Sequence, residues 1–381
     1  MTTAQHQDYM LRALELAAQG IGSVEPNPAV GCVIVKDGRI IGQGFHQRFG
    51  GPHAEINAMA DCRNHGFDPA GATVYVTLEP CCHTGKTGPC TQALIEAKVA
   101  GVVAAVQDPS DKVAGKGFAQ LRQAGIDVVV GVCEAQARRL NAPFFKFAKT
   151  ARPWVIAKWA QSIDGKLAWR NPPADGNWIS GSKSRQDVHQ LRKRCQAILV
   201  GVNTVIADNP RLTIRIPGQS IERQPLRVVL DTQLRTPLDC HLATTEEAPT
   251  LIATSELAIQ NNQNKAAAFR KAGVEILPIT QSNQHPDLSH LLAELGKRGI
   301  QQLLVEGGPT VLSSFLSQNL TDALCVYIAP MLLGQDGIAD ITFSLKELKS
   351  RKLSDINIKT LDQDVKVSAI LSNEDTIHSL I

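Results

Sequence analysis

The spacing of apolar residues divides the first part of the chain into alternating helices and strands. Apolar positions recur at helical spacing from Asp8 to Gln19, which predicts an opening helix that stops at Gly20. Residues 29–35 and 39–45 read as two strands, and the Asp37-Gly38 pair between them predicts a β-hairpin. Further helices are expected from His53, at 90–97 and at 118–124, and further strands at 72–77, 102–106 and 127–130. This alternation favours a layered α/β domain.

A second α/β pattern begins just after Pro153. We place the domain boundary near residues 148–152, which gives domains of residues 1–148 and 149–381, and we expect residues 141–147 to form a buried connector. Helices are expected at 183–194, at 287–295 and from Gly308 onward, and strands at 154–160, 197–202, 227–230, 251–253, 274–277, 303–305 and 324–328. No G-x-G-x-x-G follows a strand, so the usual dinucleotide fingerprint is missing.

Composition and charge narrow the function classes. The chain has 381 residues, of which 43% are hydrophobic and 20% charged, as in ordinary globular proteins of two or three domains. Its 39 basic and 36 acidic residues nearly cancel, which argues against a nucleic-acid or membrane surface. No signal-like or membrane-spanning run is found, and nine scattered cysteines fit a reducing compartment, so we expect a cytoplasmic protein.

The clearest chemistry lies in two short motifs, His53-Ala54-Glu55 and Pro80-Cys81 with Pro89-Cys90. One imidazole and two thiolates leave the fourth position of a zinc ion open, as in catalytic zinc sites, where the metal lowers the pKa of water to about 7. Glu55 need not bind the metal and can carry the proton to the ring nitrogen and the departing ammonia. The sequence therefore predicts one zinc ion per chain, held by His53, Cys81 and Cys90, and hydrolytic deamination of a base.

This zinc motif departs from the common one. The deaminase signature is H-x-E with P-C-x-x-C, and here eight residues separate Cys81 from Cys90. Cys82 is an alternative ligand, and a closed structural zinc site with Cys82 or His83 as fourth ligand is an alternative to catalysis.

In the second half, residues 305–310 offer an anion site, because a strand runs through two glycines into a helix start whose N–H groups are free. A Gly-Gly-Pro turn without any ligand explains the same residues. Arg192 and Arg215 carry guanidinium forks that suit a phosphate, although solvated surface arginines are the simpler interpretation.

The stretched zinc motif resembles that of the bifunctional deaminase-reductase family of riboflavin biosynthesis. The resemblance rests on Pro80-Cys81-x-His83-x-Gly85-x-Thr87-x-Pro89-Cys90, on Asn27-Pro28-x-Val30-Gly31, and on His46 leading to Gly51-Pro52-His53-Ala54-Glu55. It continues through Lys158-x-x-x-Ser162-x-Asp164-Gly165, Trp178-Ile179-Ser180, Thr204-Val205-x-Ala207-Asp208-x-Pro210-x-Leu212-Thr213-x-Arg215 and Glu306-Gly307-Gly308-Pro309-Thr310. Cys82 departs from the small polar residue expected there, which bears on base selectivity.

The resemblance implies a cytidine-deaminase-like three-layer α/β/α domain followed by a dihydrofolate-reductase-like α/β domain. The first would deaminate 2,5-diamino-6-(5-phosphoribosylamino)pyrimidin-4(3H)-one. The second would use NADPH to reduce the ribosyl arm of 5-amino-6-(5-phosphoribosylamino)uracil to the ribitylamino product. The partners implied are therefore small phosphorylated pyrimidines, with no nucleic acid and no membrane, and a homodimer formed through the reductase domain.

The resemblance also implies site residues. Asn27 would shape the base pocket of the deaminase, and either Lys158 or Asp208 is a candidate proton donor for the reductase. NADPH would lie near Ala160, Trp178, Thr204, Asp208, Thr232, Gly308, Pro309 and Thr310. The reductase substrate would lie near Gly176, Arg192, Leu212, Arg215 and Glu306.

Two rival functions belong to other classes. A deaminase of nucleosides or RNA, with the second half as a non-catalytic binding module, would favour the short P-C-x-x-C spacing and a basic patch. A non-catalytic regulator that binds metal and dinucleotide would have no need of Glu55.

Overall fold

Each half of the chain is an α/β unit built on one large β-sheet that contains both parallel and antiparallel strands. The computed structural model describes residues 3–83, 88–110, 113–171, 173, 178–282, 285–340 and 350–371. One unit extends to Thr150 and the other begins at Ala151, within the range of residues 148–152 in which the sequence places the boundary. Among the described helices, none combines the length and the apolar character that crossing a bilayer requires.

The first unit contains six helices and five strands within the described residues. The helices are α1 (Thr3–Ala18), α2 (Ala54–Asn64), α3 (Cys90–Glu96), α4 (Lys116–Gln123), α5 (Glu134–Leu140) and α6 (Ala142–Thr150). The strands are β1 (Gly31–Lys36), β2 (Arg39–Phe45), β3 (Thr73–Val76), β4 (Gly101–Ala104) and β5 (Asp127–Val130), in the order β2-β1-β3-β4-β5. The β1–β2 hairpin turns at Asp37 and Gly38, both in the left-handed region, as the Asp-Gly signal predicts.

Two apolar layers cover the two faces of this sheet. On one face α2, α3 and α4 bury residues such as Ala58, Leu94 and Leu121, and on the other α1, α5 and α6 bury residues such as Met10 and Phe145. The unit therefore has three layers, helix on sheet on helix. Most of the buried connector expected at 141–147 forms α6, whose Ala142 and Phe145 are buried one turn apart.

Glu79 holds the loop between β4 and α4, which packs near the zinc motif. Its carboxylate is almost fully buried and accepts backbone hydrogen bonds from Asp108 (3.2 Å), Gly115 (2.9 Å), Gly117 (2.9 Å) and Phe118 (3.2 Å). The last two donors belong to the first turn of α4, where N–H groups have no partner within the helix. A Cβ at Gly117 would lie 2.2 Å from the carbonyl oxygen of Pro80, so the loop and the segment before Cys81 are in direct contact.

The second unit is built on a nine-stranded sheet. Its helices are α7 (Ser182–Lys193), α8 (Val202–Asp208), α9 (Glu256–Asn261), α10 (Gln263–Lys271), α11 (Leu288–Lys297) and α12 (Pro309–Ser317). The strands of the sheet are β6 (Trp154–Ser162), β8 (Ala197–Gly201), β9 (Leu226–Leu230), β10 (Thr250–Thr254), β11 (Glu275–Pro278), β14 (Gln302–Val305), β15 (Ala323–Ala329), β17 (Leu353–Leu361) and β18 (Asp364–Leu371). Four short strands pair outside it: β7 (Lys166–Trp169) with β16 (Gly337–Asp340), and β12 (Gln281–Ser282) with β13 (His285–Pro286).

The strand order β11-β10-β9-β8-β14-β6-β15-β18-β17 places the carboxyl ends of β8 and β14 side by side. From β8 the chain continues to one side of the sheet, and from β14 it continues to the other. In parallel α/β sheets the crevice at such a reversal is where ligands bind. The sequence did not predict four of the short helices, α5, α8, α9 and α10.

We predict that Glu79→Gln destabilises the first unit by about 2–4 kcal/mol. An amide has the shape of the carboxylate but turns an NH₂ group toward backbone donors that need an acceptor. The measurement is the free energy of unfolding in urea.

Glu96→Gln is the matched control, because Glu96 is an exposed residue that accepts a hydrogen bond from Gln92 on the same helix. It should cost less than about 0.5 kcal/mol. Equal losses in the two variants would contradict the role given to Glu79.

Candidate metal centre and candidate reductase site

Three elements of the first unit bring His53, Cys81 and Cys90 together. His53 is the residue before α2, Cys81 lies in the loop after β3, and Cys90 is the first residue of α3. Nδ1 of His53 lies 3.3 Å from Sγ of Cys90 and 3.5 Å from Sγ of Cys81, and the three ligand atoms lie within 4.8 Å of one another. A tetrahedral zinc ion at ordinary bond lengths separates nitrogen from sulfur by about 3.6 Å, so this set of donors fits zinc.

The structure separates the alternative ligands from this cluster. Within the described residues, Cys82 and His83 do not join the group of donors, and His83 is exposed. The backbone N–H of Cys90 donates to Sγ of Cys81 at 3.3 Å, and contacts with Cys90 and His53 lower the pKa of Cys81. A lowered pKa favours the thiolate, the form in which cysteine binds metal. Thr84, Gly85, Lys86 and Thr87 of the insert lie outside the described residues.

Glu55 lies in the first turn of α2, beside the three ligands. Its side chain is buried, and it interacts with Cys90. Burial, together with the charge of Cys81, raises the pKa of its carboxyl group. A carboxyl group with a raised pKa can both accept and return a proton near neutral pH.

Asn27 reaches the same region through His46. Its Nδ2 lies 3.1 Å from Nε2 of His46, whose Nδ1 lies 2.9 Å from the carbonyl oxygen of Pro52, and the ring of His46 stands edge-on to that of His53 at 5.3 Å. Burial lowers the pKa of His46, which favours the neutral ring that can accept from the Asn27 amide.

Asn141 holds the Asn27 loop, and the sequence analysis missed this role. Its side-chain amide pairs with both backbone groups of Ala29 at 2.8 Å, as a neighbouring strand would. The available signal was an amide side chain at the start of an apolar run, Ala142 to Phe145.

In the second unit, a buried ion pair stands at the end of β14. Arg192 donates from Nε to Oε1 of Glu306 at 2.7 Å and from Nη2 to Oε2 at 3.0 Å, and its Nη1 donates to the carbonyl oxygen of Thr213 at 2.9 Å. Nζ of Lys158 lies 3.8 Å from the same carboxylate. Burial opposes ionisation of Glu306, but Arg192 and Lys158 hold its pKa at about 2. The fork of Arg192 is therefore already engaged by Glu306.

Arg215 and His189 continue this cluster. Arg215 donates from Nη1 to Oγ1 of Thr213 at 2.7 Å, and its backbone N–H donates to Nδ1 of His189 at 3.2 Å. Burial and the charges of Arg192 and Arg215 lower the pKa of His189 to about 4, so the ring is neutral at pH 7. Leu212 begins this segment with φ of +52°, a conformation that costs a branched residue energy and that its buried surroundings maintain.

The residues expected near NADPH follow the carboxyl edge of the sheet. Gly308 precedes α12, with Pro309 in its first turn, and a Cβ on Gly308 would lie 3.6 Å from Oγ1 of Thr204. The first N–H groups of α12 therefore face the reversal between β8 and β14, an arrangement that fits an anionic pyrophosphate. Thr232 follows β9, Ala160 lies in β6, and Asp208 is the exposed last residue of α8.

Trp178 stands at another part of this edge. Its ring is 63% exposed and is covered on one face by the guanidinium of Arg185 at 4.9 Å. A cleft of about 490 Å³ opens here, lined by residues that include Trp169, Met331 and Asp362. Gly176 lies outside the described residues.

Comparison with known proteins assigns both halves of the chain. Residues 3–106 match the family model described as cytidine and deoxycytidylate deaminase zinc-binding region, and residues 153–367 match the model described as RibD C-terminal domain. The predicted order of a cytidine-deaminase-like domain and a reductase domain is confirmed.

Full-length relatives and solved structures agree with this assignment. The riboflavin biosynthesis protein RibD of Actinobacillus pleuropneumoniae is 44% identical, over 91% of this chain and 92% of the relative, and that of Escherichia coli is 43% identical, over 87% and 89%. The structure of Acinetobacter baumannii RibD covers 98% of this chain and 100% of its own, at 38% identity and a TM-score of 0.81. A diaminohydroxyphosphoribosylaminopyrimidine deaminase/5-amino-6-(5-phosphoribosylamino)uracil reductase from Thermotoga maritima covers 97% and 99%, at 35% identity and a TM-score of 0.82. The chain therefore belongs to the RibD family of bifunctional deaminase-reductases of riboflavin biosynthesis.

Proposed function

We propose that the protein deaminates a phosphoribosylated diaminopyrimidinone in its first unit and reduces the ribosyl arm of the product in its second. The observation that carries the first step is the convergence of His53, Cys81 and Cys90 beside the buried carboxyl group of Glu55. Zinc and NADPH are the cofactors. A nucleoside or RNA deaminase is the less favourable alternative, because the full-length relatives share the second unit as well.

In the deaminase, the protein positions a proton carrier next to a nucleophile. Zinc at the three ligands supplies the Lewis acidity that makes water nucleophilic near neutral pH. Glu55 would take one proton from the attacking water and deliver it to the ring nitrogen, and would then carry the second proton, from the hydroxyl of the tetrahedral adduct, to the amino group that leaves as ammonia. Asn27, held by His46, contacts the base and fixes its orientation.

In the reductase, the protein supplies a proton and a phosphate site. NADPH supplies the hydride that reduces the open, imine-like form of the ribosyl arm. Lys158 is the better proton donor of the two candidates, because it is half-buried in β6 beside Glu306, whereas Asp208 is exposed at the end of α8. Burial lowers the pKa of Lys158, although Glu306 opposes the change, and a lowered pKa makes an ammonium a better acid near neutral pH.

The charges around Glu306 support a phosphate site on this side of the sheet. Lys158 and Arg192 bring two positive charges to the carboxylate of Glu306, which compensates one of them, and Arg215 shares Thr213 as a partner with Arg192. Burial and the charges of Arg192 and Arg211 lower the pKa of Arg215, and Glu247 opposes the change. We propose that Arg215 binds the substrate phosphate directly and that Arg192 orients Glu306 toward the ribosyl arm. Gly176 and Leu212 complete the proposed substrate contacts.

We further propose a cytoplasmic homodimer formed through the second unit, without nucleic-acid or membrane partners. The support is the edge strand β17, where Ile356 and Ile358 expose 57% and 68% of their surface. An apolar edge strand is a surface that proteins commonly cover by pairing.

Glu55→Gln should lower the rate of ammonia release about 10²–10⁴-fold, because the amide cannot carry the proton. Zinc content and NADPH oxidation on deaminated substrate should stay at the level of the unmodified protein. Both are measured on the same preparation, the metal by elemental analysis. Ammonia release at the unmodified rate would contradict the role of Glu55.

Lys158→Gln should lower kcat of the reductase about 10²-fold or more and leave ammonia release unchanged, because the proton donor is lost. Asp208→Asn is the matched control and should retain kcat within about tenfold. The measurement is NADPH oxidation on deaminated substrate. The reverse ranking of these two variants would assign the donor role to Asp208.

Arg215→Met should raise KM for the phosphorylated reductase substrate about 10–100-fold, because a charge-assisted hydrogen bond is lost. The effect should disappear with the dephosphorylated substrate, on which both proteins should be equally weak. Arg211→Met is the control, since Arg211 pairs with Glu247 on the surface and should change KM less than about threefold. An equal loss with both substrates would place the phosphate elsewhere.

A further inference from the structure

A buried ring stands next to the proposed proton donor. Tyr327 is completely buried in β15, and Nζ of Lys158 lies 5.6 Å from the centre of its ring. This distance is within the range of a cation–π contact, which strengthens when the pair is shielded from water. The strand register explains the contact. Lys158 pairs with Cys325 and Tyr327 pairs with Ala160, so the two side chains are diagonal neighbours on one face of the sheet.

Asp187 and Lys366 also contact Tyr327 and fix its ring. The hydroxyl of Tyr327 donates to Oδ2 of Asp187 on α7 at 2.7 Å, and Nζ of Lys366 on β18 donates to the same oxygen at 2.5 Å. Lys366 is the direct cross-strand partner of Tyr327, and its ammonium lies 5.7 Å from the ring centre. Both the plane and the end of the ring are therefore held by residues of neighbouring elements.

The geometry points to Tyr327 as a positioning residue for the reduction, whose ring holds the Lys158 ammonium charged and in place while Asp187 and Lys366 fix the ring. This inference rests on the donor role proposed for Lys158. Ala160, the register partner of Tyr327, lies two residues from Lys158 in β6 and is also a proposed NADPH contact. The ring would then hold the donor close to where hydride is delivered.

Several charged or titratable groups face Lys158 and set its pKa together with the ring. Burial lowers that pKa, Glu306 and Cys325 raise it, and Arg192 lowers it. Asp187 and Lys366 form a neighbouring ion pair whose charges largely cancel. The ring adds a contribution that exists only for the charged ammonium, so removing it should lower the pKa of Lys158.

The test compares Tyr327→Phe with Tyr327→Leu in the full-length protein. Phenylalanine keeps the ring and loses the bond to Asp187, whereas leucine loses both. Since Lys158 must be protonated to act as an acid, kcat falls as pH rises through its pKa. Leucine should move this basic limb of the kcat profile down by about one pH unit, and phenylalanine should leave it within about 0.3 units of the unmodified protein.

A direct titration separates this inference from the donor role. Nitrogen NMR of lysine-labelled protein, assigned by the signal missing from Lys158→Gln, should show the same downward shift for leucine. If leucine prevents folding, phenylalanine analogues with increasing ring fluorination at position 327 should lower the pKa stepwise at constant shape.

The outcomes are distinct. An unchanged Lys158 titration in the leucine and fluorinated proteins would overturn the ring contact. An equal shift in the phenylalanine and leucine proteins would assign the effect to the hydroxyl and overturn the role of the ring. A shifted titration with an unshifted kcat profile would overturn the donor role of Lys158 and, with it, the part given to Tyr327 in the reduction.

Discussion

The second unit depends on keeping one carboxylate charged inside a sheet. Burial alone would neutralise Glu306, and its bidentate pair with Arg192 and its contact with Lys158 prevent this. A buried charge that lost a partner would be costly, so the positions of α7, β6 and β14 are linked through these three side chains. The same link places Lys158 beside the ring of Tyr327, and it places Arg192 beside Arg215 through their shared contact with Thr213. The ion pair therefore arranges both the proposed acid and the proposed phosphate site.

In the first unit, the corresponding constraint is to bring the metal ligands together. Its ligands come from three elements that are distant in sequence, and they converge only if the loops between them are held. Glu79 holds the loop that contacts the segment before Cys81, because its carboxylate accepts hydrogen bonds from four backbone N–H groups. Asn141 holds the Asn27 loop through the backbone of Ala29. In the first unit, Glu79 and Asn141 are therefore buried polar side chains that contact no expected substrate and yet determine where the reactive groups lie. Such residues are satisfied completely, as burial requires.

The sequence predicted the parts of this account that have local signals. Residue spacing indicated the zinc ligands, Glu55, the hairpin and most long helices, since these depend on neighbours along the chain. It did not predict the short helices α5 and α8 to α10, and it did not identify the helix α6 within the buried connector expected at 141–147. Arg192 was expected to hold phosphate, and the structure shows its fork engaged by Glu306, a contact across 114 residues that no local pattern could reveal. Tyr327 and Asp187 carried no signal at all, because their meaning arises from strand register and helix placement.

The most direct test of two linked reactions is a coupled assay on purified protein of measured zinc content. The diaminopyrimidinone phosphoriboside is supplied with NADPH, and ammonia release and NADPH oxidation are followed together. Ammonia should appear first, with stoichiometric NADPH oxidation after it. Ammonia without NADPH oxidation would contradict the reductase assignment, and NADPH oxidation without ammonia would contradict the order of the two steps.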